Sequence, residues 1–205
     1  MDLLALKRTD PACDWERELV WRLSQAGPED TVRGVFFNGT LGAVRRLGDA
    51  EAVQCCLLAA DEEGFVDFFQ YPVRSLLRML YFAAGTLGPV LGGVEAVLRD
   101  LGRQIITTYL ASPVGRATAV LAHGAPRRML ESAPDIYRQM LGFGEVSVTF
   151  TGPSRGRVML RGDYLPAACH EGALEHLLCS MGGQGVKVER QWVKGLDGEY
   201  AFSWE

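Results

Sequence analysis

The sequence predicts an α+β fold, in which a helical N-terminal part (residues 1–143) packs on a four-stranded antiparallel C-terminal sheet (residues 144–205). Two observations carry this prediction. The C-terminal part contains runs in which apolar and polar residues alternate, as expected of strands with one buried face. The preceding part repeats apolar side chains at the spacing of amphipathic helices. Because no linker or low-complexity segment separates the two parts, the 205 residues are expected to form a single domain.

The C-terminal part predicts the order strand, strand, helix, strand, strand (ββαββ). The turn Gly152-Pro153-Ser154 separates the first two strands, and the loop 195–198 joins the last two as a hairpin. Between the strand pairs, the helical pattern of residues 166–181 is expected to pack four apolar side chains on the sheet: Leu174, Leu177, Leu178 and Met181. The apolar residues that alternate along the strands are Val146, Val148, Phe150, Val186, Val188, Trp192, Tyr200, Phe202 and Trp204.

The helical part is punctuated by proline, glycine and capping residues. Thr40 and Asp49 are predicted as helix N-caps, and Pro72 as the first residue of a helix. Four glycines are expected to separate two long helices, either as a plain loop or as a contact between two copies: Gly85, Gly88, Gly92 and Gly93. The predicted helices cover 14–25, 41–47, 50–60, 72–84, 94–109, 113–121, a short segment from 126, and 135–141.

Composition restricts the class of protein. With 48% hydrophobic and 22% charged residues, the chain has the balance of an ordinary globular protein. Its net charge of −4 speaks against a nucleic-acid partner. The sequence shows no secretory signal and no uninterrupted apolar run of about 18 residues, so a cytoplasmic location without a transmembrane segment is expected. Five cysteines without a C-x-x-C spacing favour reduced, buried thiols over disulfides.

Arginine is concentrated in the middle of the chain. Residues 65–128 contain seven arginines, no lysine and three acids. Arginine is suited to bidentate binding of carboxylate or phosphate. Two interpretations stay open: solvated helix faces with ordinary ion pairs, which we favour, and a site for an anionic ligand or an acidic partner.

No catalytic or metal-binding motif is recognisable. Cys169, His170, His176 and Cys179 fall on one predicted helix, but the two cysteines are separated by about 15 Å of helix axis, too far for one metal ion. His176 and Cys179 could meet at i,i+3, yet nothing identifies a third group for nucleophilic catalysis. We therefore predict no enzyme activity, no metal site and no cofactor.

Six short stretches, in this order, carry a resemblance to a known family. The sequence resembles a paralogous family of myxobacterial proteins with no assigned function over residues 34–204. The stretches are 34–41 (GVFFNGTL), Tyr71-Pro72, Leu101-Gly102-Arg103, 112–116 (SPVGR), 134–138 (PDIYR) and 200–204 (YAFSW).

The helical part followed by ββαββ is also similar to a wider architecture, that of Bet3-type vesicle-tethering subunits, vinyl-4-reductase-like sensor domains and haem-nitric-oxide-binding domains. The resemblance implies a fold that is often dimeric, with an apolar pocket between helices and sheet. In the haem-binding relatives a Tyr-x-Ser-x-Arg run holds the propionates. None of the six tyrosines starts such a run. His123, before Gly124, is expected to bind carbonyl groups at a helix end.

These observations lead to the hypothesis of a non-enzymatic small-molecule-sensing or adaptor domain that acts through a homodimer or a partner surface. Its ligand would be small and apolar or anionic. A structural interaction subunit of the Bet3 type without a ligand is the alternative, and a haem-binding gas sensor is a less favoured one. The candidate ligand-binding residues are Tyr71, Arg74, Arg78, Tyr81, Arg103 and Arg116, and the aromatic residues that could line the pocket include Phe82, Trp192, Phe202 and Trp204.

Overall fold

The computed structural model describes residues 12–205, with side chains from Asp14 onward. As predicted, the C-terminal part has the order strand, strand, helix, strand, strand, whereas the preceding part is helical except for two short strands. The helices are α1 (Ala12–Gln25), α2 (Gly34–Leu47), α3 (Ala50–Ala60), α4 (Val73–Leu91), α5 (Val94–Ala111), α6 (Pro113–Leu121), α7 (Pro126–Glu131), α8 (Ala133–Met140) and α9 (Ala167–Ser180). The strands are β1 (Thr31–Arg33), β2 (Gln70–Pro72), β3 (Glu145–Gly152), β4 (Arg155–Arg161), β5 (Lys187–Lys194) and β6 (Asp197–Ser203).

The C-terminal sheet confirms the predicted α+β class. All four strands are antiparallel, in the order β3-β4-β6-β5. Val158, Leu160, Tyr200 and Phe202 form its buried face and contact Leu178 of α9. Leu177 and Met181 instead pack with Ala122 and Met129, so α9 turns only part of its apolar surface to the sheet. Its other neighbour is α5.

Trp192 departs from the predicted alternation. Its side chain is 41% exposed on the edge strand β5. The pairing of β5 with β6 shifts between Arg190 and Trp192, as at a β-bulge. A bulge inserts one residue into the strand, so the side chains beyond it change faces. Trp192 is therefore not a core residue, and it does not line the apolar cavity described below.

Helix α2 is longer than predicted. It begins at Gly34, so Thr40 lies inside the helix and is no N-cap; its hydroxyl donates to the Phe36 carbonyl at 2.9 Å. The misleading signal was Gly39, which resembles a helix break. A Cβ on Gly39 would lie 2.7 Å from the Cα of Ile105, which shows that this glycine allows α2 to approach α5. Asp49 caps α3 as predicted, accepting from the Ala52 N–H at 2.8 Å.

Helix α4 also continues past its predicted end. It runs to Leu91, so Gly85 and Gly88 are helical, and neither belongs to a loop. A Cβ on Gly85 would lie 2.8 Å from the Trp15 ring, which makes Gly85 a packing glycine between α4 and α1. Gly92 and Gly93, with φ of 89° and 103°, end the helix as the prediction required. Pro72 is the N-cap of α4, so the helix begins one residue after its predicted start.

Helices α4 and α5 form the centre of the helical part. The α4 residues Leu76, Leu77, Leu80 and Tyr81 are fully buried. Within residues 12–205, no single helix is long and apolar enough to cross a membrane; α4 and α5 reach that length only together, and they are bent by 118° at their junction. The two short strands β1 and β2 pair with each other beside this core, and the sequence patterns did not predict them.

Candidate ligand cavity

An apolar cavity of about 160 Å³ lies between the helices and the C-terminal sheet, where the architectural resemblance predicted a pocket. Helices α5, α8 and α9 and strands β3 and β4 contribute most of its wall. Its lining is Phe36, Gly102, Ile105, Ile106, Tyr109, Leu130, Ala133, Ile136, Tyr137, Met140, Leu141, Val146, Val158, Leu160, Leu165, Cys169, His170, Ala173, Leu174 and Leu177. A cavity of this size with an aliphatic and aromatic wall can stay dry and bind a molecule such as benzene.

One side of the cavity is set by the crossing of α5 and α9, at which the two backbones touch. A Cβ on Gly102 of α5 would lie 2.0 Å from the Cys169 carbonyl oxygen. A Cβ on Gly172 of α9 would lie 1.9 Å from the Arg99 carbonyl oxygen. No side chain fits at either point, so only glycine permits this approach. The crossing brings Ile105 and Ile106 of α5 opposite the side chains of α9 that face the cavity.

A hydrogen-bonded cluster forms the polar part of the wall. Asp163, which is 3% exposed, accepts from the Tyr137 hydroxyl at 2.6 Å and from the Leu165 N–H at 2.6 Å. The His170 Nε2 lies 3.0 Å from the same carboxylate. Tyr137 belongs to α8, His170 to α9, and Asp163 to the segment that follows β4, so the cluster connects three parts of the fold.

Asp163 is held in its charged form. Burial by itself raises the pKa of this carboxyl, but the His170 ring and the hydrogen bonds from Tyr137 and Leu165 outweigh it and hold the pKa below its usual range. Burial and the charge of Asp163 in turn raise the pKa of Tyr137, which keeps its proton. Nearby, the buried Arg22 donates to the Tyr164 carbonyl at 2.9 Å and to the Leu165 carbonyl at 3.2 Å, which ties α1 to the same segment.

Cys169 also lines the cavity. It is 2% exposed, and burial raises the pKa of its thiol well above the ordinary value. A thiol that stays protonated is a poor nucleophile, so Cys169 acts here as an apolar wall residue. The prediction of buried thiols also holds for Cys56, whereas Cys179 is exposed. The side chain of Cys13 lies outside the described residues.

The predicted aromatic site residues lie elsewhere. Tyr71 packs with Phe37 and Phe65 beside β2, and its hydroxyl accepts from the Val66 N–H at 2.9 Å. Tyr81 is fully buried in α4, and its hydroxyl has no hydrogen-bond partner among the described residues. Neither residue lines the cavity, nor do Phe82, Phe202 and Trp204. A ligand-binding role for Tyr71 and Tyr81 stays a prediction.

The four predicted arginines are not gathered into one site. Arg74 and Arg78 are exposed on α4. Arg103 pairs with Glu175 at 2.6 Å, and Arg116 donates to the Ala111 carbonyl. None of them lines the cavity. That these arginines bind an anion stays a prediction, because they do not share one site. The pairing of Arg103 with Glu175 agrees with the interpretation of ordinary ion pairs.

A buried ion pair stabilises the α5–α9 crossing. Glu171 of α9 is 4% exposed; its carboxylate lies 2.5 Å from Arg99 of α5 and 2.8 Å from Arg190 of β5. No local pattern indicated that this acid would be buried, because its partners come from two distant elements. Breaking a buried pair leaves an uncompensated charge, which costs far more than losing an exposed pair.

We therefore expect Glu171→Gln to lower the free energy of unfolding by about 1.5–3 kcal/mol, because Arg99 loses its counter-charge and Arg190 keeps only the exposed Glu95. Glu175→Gln is the matched control: it lies one turn further along α9 and removes the half-exposed pair with Arg103, at a cost of about 1 kcal/mol or less. Urea unfolding followed by circular dichroism measures both variants. Equal losses would contradict the assignment of Glu171 as the buried anchor.

The histidines and cysteines of α9 do not assemble a metal centre. Residues 12–205 contain no group of three or more histidine, cysteine or acidic side chains arranged to hold a metal ion. His176 lies 2.9 Å from the Thr107 hydroxyl, far from a second ligand pair. His123 adopts a left-handed conformation with φ of 53° and places its Nδ1 2.8 Å from the Leu121 carbonyl, as its position at a helix end predicted.

A haem does not fit the cavity as the structure shapes it. About 160 Å³ suits a single small ring, and a haem macrocycle is several times larger. The lining residues include one histidine, His170, and its Nε2 faces the Asp163 carboxylate. No arginine, lysine or serine stands among them to bind the propionates. The residues present therefore match an uncharged guest.

Sequence reasoning missed the Tyr137–Asp163–His170 cluster. It considered His170 only as a metal ligand, together with its neighbours on the helix. A weak signal existed: an acid directly after a strand and a histidine in the first turns of the next helix often meet in space. Nothing in the sequence, however, indicated that Tyr137 of another helix would reach the same carboxylate.

Comparison with solved structures shows the fold. The chain is similar to an H-NOX protein from K. algicida in the Fe(II) unliganded state (13% identity, TM-score 0.65, 84% of this chain and 96% of that chain). It is also similar to an H-NOX protein from S. oneidensis in the Fe(II)NO ligation state (10% identity, TM-score 0.66, 84% and 99%). A third is an oxygen-binding H-NOX domain related to soluble guanylate cyclases, in its oxygen complex (12% identity, TM-score 0.65, 84% and 95%).

No curated protein matches this sequence. A family model described as a protein of unknown function (DUF2378) matches residues 25–205. The expected likeness to the haem-nitric-oxide-binding architecture is thus confirmed at the level of the fold. The likeness to Bet3-type and vinyl-4-reductase-like proteins stays a prediction.

Proposed function

Because the chain belongs to the DUF2378 family of proteins of unknown function and shares its fold with H-NOX domains, we propose that it is a non-enzymatic sensor domain for a small apolar molecule. One observation carries this proposal: the apolar cavity of about 160 Å³ between helices and sheet, with the hydrogen-bonded side chains of Tyr137 and His170 in its wall. The guest occupies this cavity without chemical change. The domain acts through a homodimer or a partner surface.

The wall cluster connects the cavity to helix α1. Tyr137 of α8 and His170 of α9 both bind Asp163, and Arg22 of α1 binds the neighbouring carbonyls of Tyr164 and Leu165. A guest that displaces α8 or α9 changes these hydrogen bonds. A ligand shifts the equilibrium between two conformations of a protein only if it binds one of them more tightly. The sensor therefore requires a second arrangement of these helices with a different affinity for the guest.

The H-NOX proteins of similar fold are in Fe(II) unliganded, Fe(II)NO and oxygen-bound states. A small-molecule guest for this chain is consistent with those relatives. A haem is the less favoured guest, because the cavity volume and the uncharged lining described above suit a smaller, neutral molecule.

Toluene tests the proposal directly, since it has one ring and no polar group. The wild-type protein should bind it saturably with a Kd of about 0.1–1 mM, the range of a well-buried guest of this size. Ala173→Phe places a ring in the cavity and should weaken binding at least about tenfold. Calorimetry in a sealed cell and methyl NMR shifts of the lining isoleucines and leucines are the two measurements.

Ala96→Phe is the matched control, because Ala96 is exposed on α5 and does not line the cavity. It should bind toluene like the wild type. Absence of saturable binding to the folded wild-type protein would overturn the proposal. Equal weakening by both variants would show that the guest binds outside the cavity.

A ligand-free interaction subunit is the second candidate, and an exposed aromatic pair favours it. Phe68 and Phe69 are 66% and 56% exposed, with ring centroids 5.2 Å apart. Exposed aromatic side chains are common in protein interfaces. Native mass spectrometry separates the candidates: a bare dimer that does not bind toluene supports the interaction subunit.

A further inference from the structure

The polar atoms of the cavity wall differ in what they can still offer to a guest. The Tyr109 hydroxyl donates to Thr118 Oγ1 at 3.2 Å, and Thr118 donates onward to the Val114 carbonyl at 2.9 Å. The Tyr137 hydroxyl donates to the Asp163 carboxylate. Each hydroxyl has one hydrogen and two lone pairs, so both tyrosines have used their hydrogen and retain acceptor capacity.

His170 also retains hydrogen-bond acceptor capacity. An ionised carboxylate only accepts hydrogen bonds, so the Nε2 that faces Asp163 carries a hydrogen. In the neutral ring the other nitrogen, Nδ1, is then an acceptor. Nδ1 has no hydrogen-bond partner within the part of the chain that the structure describes. His170 lines the cavity, and its Nδ1 adds an acceptor without a partner to a wall whose other polar side chains, apart from the Cys169 thiol, are the two tyrosines.

We propose that the cavity selects small uncharged aromatic molecules with one O–H or N–H donor, phenol being the simplest, and that His170 Nδ1 is the acceptor. This inference rests on the proposed function and adds the chemical class of the guest. The aromatic ring fills the apolar space, and the donor finds the acceptor that the wall leaves open. Each half of the guest thus meets a matching part of the lining.

The lack of free donors in the wall disfavours guests that carry only a hydrogen-bond acceptor. Apart from the weakly donating Cys169 thiol, the side chains of the wall have no hydrogen left to give. A ketone, an ester or a carboxylate would bury its oxygen without a partner, and burying an unpaired polar group is costly. A hydroxyl that meets an acceptor avoids this penalty. Purely apolar rings are accommodated, but they leave Nδ1 without a partner.

Phenol and toluene have nearly the same shape and differ in the donor, so they form the first test. The wild-type protein should bind phenol at least as tightly as toluene, although phenol gives up far more hydration on entering the cavity. Calorimetry with each compound in a sealed cell measures the two dissociation constants. Binding of toluene with exclusion of phenol would overturn the donor rule and leave the sensor proposal standing. Failure of both compounds to bind would overturn both proposals.

His170→Phe identifies the acceptor. The variant should weaken phenol binding about tenfold and change toluene binding less than threefold, the loss expected for one hydrogen bond in an apolar cavity. His176→Phe is the matched control on the same helix; its ring bonds Thr107 and does not line the cavity. It should leave both affinities unchanged. An unchanged ratio of phenol to toluene affinity in a folded His170→Phe protein would refute the assignment to Nδ1. If His170→Phe does not fold, the wild-type comparison decides the donor rule alone.

Discussion

Gly172→Ala and Gly102→Ala are each expected to lower the free energy of unfolding by about 3 kcal/mol or more. At both positions the new methyl group would lie within 2.0 Å of a backbone carbonyl oxygen of the other helix: Arg99 for Gly172 and Cys169 for Gly102. A backbone oxygen cannot rotate aside as a side chain can, so α5 and α9 must separate. Urea unfolding gives the loss. A cost under about 1 kcal/mol would contradict the close backbone contact.

Gly42→Ala is the matched control, because Gly42 is also helical. Its Cβ would meet only the flexible Gln104 side chain, at 3.6 Å. This variant should stabilise the protein by about 0.5–1 kcal/mol, the usual helical preference of alanine over glycine. The opposite signs at Gly42 and Gly172 would separate the effect of helix propensity from the effect of contact.

Asp163→Asn should lower the free energy of unfolding at neutral pH by about 3 kcal/mol or more. The amide keeps the shape but removes the charge that His170 faces, and its NH2 group cannot accept from Tyr137 or Leu165. Asp135→Asn on the surface of α8 is the control, and it should cost less than about 1 kcal/mol. Equal effects of the two substitutions would refute the structural role of the buried carboxylate.

The downward shift of the Asp163 pKa determines how the stability lost in Asp163→Asn varies with pH. The pKa is lower in the folded state than the ordinary value of about 3.9, so the carboxylate contributes its full stability above that value. The contribution is lost as the pH falls through the folded-state pKa. The difference between wild type and Asp163→Asn should therefore shrink below about pH 4 in unfolding curves measured at several pH values. A difference that grows towards acid would contradict this sign.

The strands and the ββαββ order could be read from the sequence because alternation is a local signal. A buried face repeats every second residue, and the turn at Gly152 or Gly195 is marked by its composition. The cap at Asp49 is local in the same way. The structure follows the sequence closely wherever residues within a few positions determine the conformation.

The glycines inside helices show where prediction from local sequence fails. Gly39 and Gly85 look like helix breaks, but they lie inside helices because a neighbouring element approaches them. A glycine that ends a helix and one that admits another helix have the same letter, and only the tertiary contact distinguishes them. Gly102 and Gly172, at the most sensitive contact of the fold, were not recognised for the same reason.

The location of the cavity between helices and sheet was predicted, but the residues of its wall were not. The resemblance to the wider architecture implied an apolar pocket between helices and sheet, and an apolar cavity lies there. Its polar cluster joins Tyr137, Asp163 and His170 from three elements, and no single-sequence pattern records such a meeting. The arginines were chosen for their number, yet the cavity wall has none.

The contact of backbone with backbone at Gly102 and Gly172 makes the walls of the cavity mechanically unequal. At these two glycines no side chain separates α5 from α9, so the contact there has nothing that could repack. Helix α8 on the other side has eight residues, and a hydrogen bond from Tyr137 to Asp163 fastens it at the cavity. If the proposed function holds, an entering guest displaces α8 more readily than the α5–α9 pair, and the outer surface of α8 is where a partner would detect the change.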